Sequence, residues 1–314
     1  MAGVTIEARP APLSVSDLRL RSGRRRREGF VRRAFFGAAL VSVLINALIV
    51  VTLFDGTWDF LSRVDLGLLW TDGWFPRRDM YDVKTIVAGT MVVSVVAMVV
   101  ATPLGLGAAI YLAEYASRRS RRWLKPILEV LAGIPSVVMG FFALTVISPN
   151  LMQRFFDAGL FSLGAAGIGV GILITPLVAS VAEDAMFAVP SSLREASYGL
   201  GARKRATTIR VVFPAAVSGI VAAMILGISR AIGETLVVAI AAGATGGSLF
   251  TLDPREPGQT MTAAMTAIAT GSDQVKGAAL AFPSLFFVGA LLFFMTLALN
   301  VMSERFVRRV RRRY

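Results

Sequence analysis

Six long apolar blocks, separated by charged or glycine-rich stretches, run through this sequence. A helix needs about 20 apolar residues to cross the hydrocarbon core of a bilayer, and each block reaches that length. Hydrophobic residues make up 55% of the 314 residues, and they are concentrated in the blocks instead of recurring at the period of a soluble amphipathic helix. We therefore predict an all-α, multi-pass protein of the cytoplasmic membrane with six transmembrane helices.

The apolar blocks place the predicted spans at 34–54, 86–112, 126–147, 159–181, 214–242 and 278–301. The first block is longer than the apolar part of a signal peptide and no small-residue cleavage pattern follows it, so we predict an uncleaved span. An extracytoplasmic loop (55–83) separates this span from a transmembrane domain over 84–302. Aromatic residues near this loop predict an interfacial belt: Trp58, Trp70, Trp74 and Tyr81.

The basic residues are unevenly divided between the two sides of the membrane. With both termini in the cytoplasm, the inner segments carry 25 of the 33 lysines and arginines: 1–33, 113–125, 182–213 and 302–314. The outer loops, including a glycine- and threonine-rich segment at 243–277, carry seven, beside ten acidic residues. The positive-inside rule therefore predicts cytoplasmic basic tails at 1–33 and 303–314. This distribution accounts for the net charge of +13, so we expect membrane lipid and no nucleic acid as a partner.

The chain contains no cysteine and no histidine. It therefore lacks the commonest metal ligands and the commonest general base near neutral pH, so we predict no metal site and no catalytic residue. The Gly-x-x-x-x-Gly-Lys-Ser/Thr pattern that cradles nucleotide phosphates is also missing from the sequence. We expect a transport subunit that binds no cofactor of its own.

Three ionisable residues lie within the predicted spans. Glu129 follows Lys125 by four residues near a membrane face, which predicts a local ion pair on one helix. Arg230 and Glu234 have the same spacing in the fifth span, where a central charge costs at least about 2.5 to 3.5 kcal/mol. Such residues face a partner or a water-filled path. The pair is either a structural ion pair or part of a substrate path.

Pro103, Pro135 and Pro176 also lie inside the predicted spans. A proline removes one backbone donor, and interrupted transmembrane helices often line a transport path. We predict helix breaks at these three positions. Each break is consistent either with a path or with a kink that improves packing.

The stretch before the fifth span, 182–213, predicts a short helix that projects from the membrane. Val-Pro-Ser-Ser at 189–192 is typical of a helix entry, Gly201 permits a sharp turn, and Pro214 suits the first residue of the next helix. Three apolar residues share one face of the short helix: Leu193, Ala196 and Leu200. Another protein could dock on such a projecting helix. An ordinary loop on the membrane surface would have the same sequence features.

The residue order in this stretch resembles the EAA loop of ABC importer permeases: Glu-Ala-Ala, three residues, Gly, nine residues, then Ile-x-Leu-Pro. The matching positions are Glu195, Ala196, Gly201 and Pro214, whereas Ser197, Val211 and Phe213 replace residues of similar size or polarity. In that family the loop is a coupling helix that docks on the ATPase subunit. The resemblance implies a type I ABC importer permease fold.

Other segments within about 84–302 resemble the phosphate-specific transport family: Pro103-Leu-Gly-Leu-Gly, Gly133-Ile-Pro-Ser and Arg230-Ala-Ile-Gly-Glu-Thr. Trp74-Phe-Pro favours the PstC type of permease over the PstA type. The resemblance implies a PstA-like second permease, two PstB-like ATP-binding subunits that use ATP, and an extracytoplasmic PstS-like phosphate-binding protein. A guanidinium fits phosphate oxygens, and the family has the same arrangement at Arg230 and Glu234, so we expect them on the phosphate path.

Two other transport functions remain open. A permease of the same family could carry another oxyanion. A secondary anion transporter or channel would have the same hydropathy and could use Arg230 and Glu234, but it needs no ATPase-docking loop. A membrane-embedded enzyme would need a histidine, a cysteine or a carboxylate cluster that the sequence does not offer.

Overall fold

The computed structural model describes residues 22–71, 73–243, 246–271 and 280–311. The first 21 residues of the predicted N-terminal tail, the last three of the C-terminal tail and the start of the predicted sixth span lie outside the described residues. The chain forms two compact units, Met1–Thr52 and Leu53–Tyr314. The first unit contains the N-terminal part of the first helix, and the second unit contains all later elements.

The described elements are, in chain order, α1 Ser22–Arg63, β1 Trp74–Phe75, β2 Met80–Tyr81, α2 Val83–Tyr115, α3 Arg118–Ala132, α4 Ser136–Phe156, α5 Leu163–Phe187, α6 Ser191–Gly199, α7 Lys204–Ile232, α8 Leu236–Ala241, α9 Met261–Ala269 and α10 Ala281–Arg311. Within the described residues, six helices are long and apolar enough to cross a membrane: α1, α2, α4, α5, α7 and α10. Six spans were predicted, and this number is confirmed.

The helix pair α2 and α5 forms the centre of the second unit, because small residues let the two backbones approach closely. A Cβ atom added to Gly171 would lie 2.8 Å from the carbonyl oxygen of Ala97, and one on Gly167 would lie 2.7 Å from Cβ of Val96. Ala97 is fully buried in the apolar core that these helices share with α4 and α8. Lipid provides no hydrophobic drive between helices, so this close packing holds the pair together.

The predicted breaks at Pro103 and Pro176 are wrong, because α2 and α5 both continue through these residues. Each proline removes one hydrogen bond from a long helix, whereas the neighbouring turns pack tightly against each other. A Cβ on Gly105, two residues after Pro103, would lie 2.8 Å from Val178, two residues after Pro176. The mutual packing of the two helices therefore keeps both helices continuous.

Pro135 does mark a break, and it shifts the third span along the chain. The helix α3 ends at Ala132, the chain turns, and α4 begins directly after Pro135. The span is therefore Ser136–Phe156 instead of 126–147, and residues 126–132 belong to the basic helix α3. Pro149 lies inside α4, because the wide π-helical turns over Ala143–Gln153 accommodate its ring.

A β-hairpin covers one end of the second unit, which we call the hairpin end. Trp74 pairs with Tyr81 across the hairpin, and both side chains are fully buried beside Phe60. The predicted interfacial belt is therefore wrong for Trp74 and Tyr81, whereas Trp58 and Trp70 are exposed. The helix α1 extends nine residues beyond its predicted end at 54 because Phe60 anchors its last turns in this apolar cluster. Burial, with a hydrogen bond to Asp79, raises the pKa of Tyr81.

The predicted outer segment at 243–277 contains a helix that the hydropathy pattern did not reveal. This helix, α9, buries Met261, Ala264 and Ile268 among side chains of α1, α2 and α10. It is too short to cross the membrane alone. It packs on protein within the second unit, so this part of the segment is a buried helix and not an exposed loop.

Candidate functional site

Arg230 and Glu234 meet where the fifth span is interrupted. Arg230 lies in the last turn of α7, Gly233 ends that helix, and Glu234 lies in the link before α8. The guanidinium Nη1 of Arg230 lies 2.7 Å from Oε2 of Glu234, and the side chains are 48% and 3% exposed. The predicted pair forms, but across a helix end and not along one continuous helix. The fifth span therefore ends at Ile232 instead of 242.

Two hydrogen bonds fix the backbone at Glu234, the residue that carries the buried carboxylate. The amide of Glu234 donates to the carbonyl of Ala231 at 3.2 Å, and its carbonyl accepts from Oγ1 of Thr262 at 2.7 Å. Thr262 lies on α9 and shares a hydrogen bond of 3.1 Å with Thr260. The sequence does not predict this contact, since only a general richness in threonine marks the segment.

Further polar groups lie close to this interruption. The amide of Met261 donates to Oγ1 of Thr90 on α2 at 3.0 Å. The side-chain amide of Gln259 is buried without a hydrogen-bond partner among the described residues. Buried hydroxyl and amide groups therefore pack behind the interruption, whereas the guanidinium of Arg230 is half exposed and has donors free for an anion.

The predicted coupling segment is folded as a helix with a well-defined end. Glu195, Ala196 and Ser197 lie on α6, which ends at Gly199, and the chain then turns at Gly201, whose φ is +78°. The amide of Ala202 donates to the carbonyl of Ser197 at 3.1 Å, and that of Gly201 donates to Tyr198 at 2.9 Å. These two bonds form a Schellman motif, which explains why a glycine suits this position.

The apolar face of α6 points away from the rest of the second unit. Leu200 is 90% exposed and Leu193 is 43% exposed, and Ala196 and Glu195 are also exposed. A soluble amphipathic helix would bury this face against its own protein. The second unit therefore presents an apolar ridge at its basic end, which we define by α3, α6 and the first turns of α7.

Pro214 does not begin the fifth span, because the helical run of α7 already starts at Lys204. The residues before Pro214 form a π-helical turn, Thr208–Val212. That wider turn leaves space for the proline ring. Proline has no backbone amide hydrogen, and the π-helical turn tolerates the missing hydrogen bond at this position. The prediction that Pro214 begins this helix therefore holds to within one residue for its α-helical part, Phe213–Ile232, but not for the whole helical run.

Lys125 does not form the predicted pair with Glu129. Its ammonium instead lies 3.6 Å from Glu183 and 3.5 Å from Asp184, and Glu129 is exposed. Arg121 donates to the same buried Glu183 at 2.6 Å, so α3 is tied to the end of α5. These partners are 58 to 62 positions apart in the sequence, which is why helical spacing did not predict their contact. Among the described residues, no group of three histidine, cysteine or acidic side chains could hold a metal ion.

Comparison with known proteins identifies the family. The binding-protein-dependent transport system inner membrane component family matches residues 101–314. The chain is 30% identical over 294 residues to the phosphate transport system permease protein PstC of Pasteurella multocida, covering 88% of this chain and 90% of that protein. It is 35% identical over 242 residues to the phosphate transport system permease protein PstA 1 of Mycobacterium tuberculosis, covering 76% of each.

A solved structure shows the same fold. A chain in the crystal structure of a bacterial ABC transporter involved in the import of the acidic polysaccharide alginate matches with a TM-score of 0.61. The sequence identity is 15%, and the match covers 91% of this chain and 99% of that chain. The predicted ABC importer permease fold is confirmed. With six apolar helices and the match to two thirds of its length, this multi-pass protein of the cytoplasmic membrane belongs to the family of binding-protein-dependent transport system inner membrane components.

Proposed function

We propose that this chain is a permease subunit of an ATP-driven importer that moves inorganic phosphate across the cytoplasmic membrane. The main observation behind the proposal is the exposed apolar ridge on α6, a short helix that ends in a Schellman motif and carries Glu195. Such a surface suits docking to another subunit. The similarity to permeases named for phosphate transport supports the substrate.

The charge distribution supports an orientation with the basic end in the cytoplasm. Residues of α3 and the stretch from 194 to 210 contribute basic side chains at this end: Arg118, Arg119, Arg121, Arg122, Lys125, Arg194, Arg203, Lys204, Arg205 and Arg210. The positive-inside rule then places both termini in the cytoplasm and the hairpin end outside. In this orientation α6 faces the compartment that holds ATP.

The partners follow from this orientation. Two PstB-like subunits would bind and hydrolyse ATP, one of them against α6, because this chain has no nucleotide-binding pattern of its own. A PstA-like permease would complete the path through the membrane. A PstS-like protein would deliver phosphate at the hairpin end. We propose no cofactor bound by this chain.

Arg230 and Glu234 would act as the phosphate-recognition pair on the path. The half-exposed guanidinium of Arg230 offers donors that match two phosphate oxygens at once. Glu234, buried and 2.7 Å away, partly neutralises that charge, so phosphate is bound weakly enough to leave again. The helix interruption at Gly233 supports this role, because irregular backbone in a membrane is tolerated where it lines a cavity.

Copurification tests the proposed assembly. The tagged chain, produced with the other genes of its transport system and solubilised in mild detergent, is expected to bring down a second six-span permease and a P-loop ATPase. Gly201→Val forces a β-branched residue into a left-handed backbone, which costs at least about 1–2 kcal/mol and should reduce ATPase recovery by about fivefold or more.

Gly199→Val is the matched control, because Gly199 is equally open but has helical backbone angles. It is expected to retain the ATPase. A wild-type chain that purifies alone and moves phosphate without ATP would refute the importer and support a secondary transporter or channel. Uptake of another oxyanion in preference to phosphate would keep the importer and change its substrate.

A further inference from the structure

Arg194 lies on the face of α6 that points toward the transmembrane helices. Its Nε and Nη2 donate to Oε1 of Glu114 at 3.1 and 2.8 Å. Its Nη1 donates to the carbonyl of Val189 at 2.6 Å, and Nη2 also donates to the carbonyl of Met186 at 2.8 Å. The Arg194 side chain is 19% exposed, and that of Glu114 is 4% exposed.

One guanidinium therefore joins three helices. Glu114 lies in the last turn of α2, and Met186 lies in the last turn of α5, the two helices that pack along each other through glycines. Arg194 itself lies in the first turns of α6. A displacement of α6 thus acts first on the ends of the central helix pair.

The other attachments of α6 are few and polar. No residue of α6 itself is buried, and the nearest apolar anchor is Val189, two residues before the helix. Ser197 shares a hydrogen bond of 2.9 Å with Thr207 in the first turn of α7. Lys204 at the start of α7 lies 5.1 Å from the ring centroid of Tyr115 at the end of α2. The Arg194–Glu114 ion pair is the connection that ties α6 to a buried carboxylate.

The geometry of this connection favours a rigid link. A planar guanidinium with four hydrogen bonds to one carboxylate and two carbonyls can neither rotate nor slide without losing several bonds together. A lysine would offer one point charge on a flexible stem and could not hold the same three partners. The link also lies opposite the exposed ridge formed by Leu193, Ala196 and Leu200.

We infer that Arg194 is a positioning residue that transmits the movement of α6 to α2 and α5, so that ATP hydrolysis by a docked subunit drives the transmembrane helices. This inference rests on the proposed docking of an ATPase subunit on α6. The docking ridge and the link are separate faces of one short helix. Loss of the link should therefore uncouple hydrolysis from transport without detaching the ATPase.

The test compares ATP hydrolysis and phosphate uptake by the complete complex in proteoliposomes. Arg194→Gln is expected to lower phosphate uptake per ATP hydrolysed by about tenfold while the ATPase still copurifies. Arg194→Lys should show coupling between that of Arg194→Gln and wild type. Lysine keeps the positive charge but lacks the planar guanidinium that bonds several acceptors at once. Arg205→Gln is the control, since Arg205 is an exposed basic residue of the same segment.

A double variant separates coupling from stability. Arg194→Gln alone leaves the buried Glu114 without its partner, whereas Arg194→Gln with Glu114→Gln removes both charges and should restore thermal stability. The double variant should remain uncoupled. Recovery of coupling together with stability would overturn the inference, and so would unchanged uptake per ATP in Arg194→Gln. A wild-type complex without any ATPase would instead refute the proposed function, and the inference with it.

Discussion

Replacing Arg230 with glutamine is expected to reduce phosphate uptake by the assembled importer by about 100-fold or more, because charge-assisted contacts to phosphate are lost inside the membrane. Glutamine keeps a polar side chain, but it is shorter and has one neutral amide in place of the guanidinium. The remaining carboxylate of Glu234, which lies 2.7 Å from the guanidinium, would then repel the anion. Uptake of labelled phosphate into proteoliposomes, measured at equal amounts of complex, checks this prediction.

Arg210→Gln provides the comparison, since Arg210 is an exposed arginine at the other end of the same helix α7. It is expected to leave uptake within about twofold of wild type, because an exposed surface charge contributes little. Full uptake by Arg230→Gln in a correctly assembled complex would show that the pair is only structural. The path would then have to be sought along other polar groups.

Gly171→Val is expected to lower the thermal stability of the folded protein. The added Cβ would lie 2.8 Å from the backbone carbonyl of Ala97, and that carbonyl cannot move unless α2 and α5 separate. Overpacking by a single side chain costs about 1–3 kcal/mol of folding free energy. Valine adds two methyl groups beyond the Cβ, so we expect a cost at the upper end of this range. Thermal melting in detergent, followed by size-exclusion chromatography, measures the loss.

Gly107→Val on α2 makes the same chemical change where a Cβ meets no atom within 4 Å. It should melt close to the wild-type temperature. Equal melting temperatures of the two variants would mean that the backbones of α2 and α5 separate easily. The central helix pair would then not be the rigid part of this protein.

Hydropathy and charge were sufficient to predict six spans, because each span must satisfy the bilayer by itself. They were not sufficient to predict the bounds of the third span, because the apolar residues of 126–132 belong to the separate helix α3. The two prolines Pro103 and Pro176 also led to a wrong prediction of helix breaks. The packing of α2 on α5 compensates for each missing donor, and no local pattern contains that information.

Local spacing predicted the contact between Arg230 and Glu234, since four residues separate them along the chain. It could not predict the contacts of Arg194 with Glu114 or of Arg121 with Glu183, which join residues 80 and 62 positions apart. The resemblance to EAA loops identified α6 correctly as a helix. The sequence also identified the apolar face of α6, but only the structure shows that this face is exposed and that Arg194 attaches the helix to the rest of the unit.

The interruption after Ile232 also constrains the order in which this protein can be made. The carbonyl of Glu234 finds its partner in Thr262, which leaves the ribosome 28 residues later. Until then, the end of α7 has charged side chains and an unpaired backbone carbonyl. These groups would face hydrocarbon if α7 left the translocon without the helices that follow it. We therefore expect α7, α8 and α9 to enter the lipid as one group, after synthesis has passed residue 262.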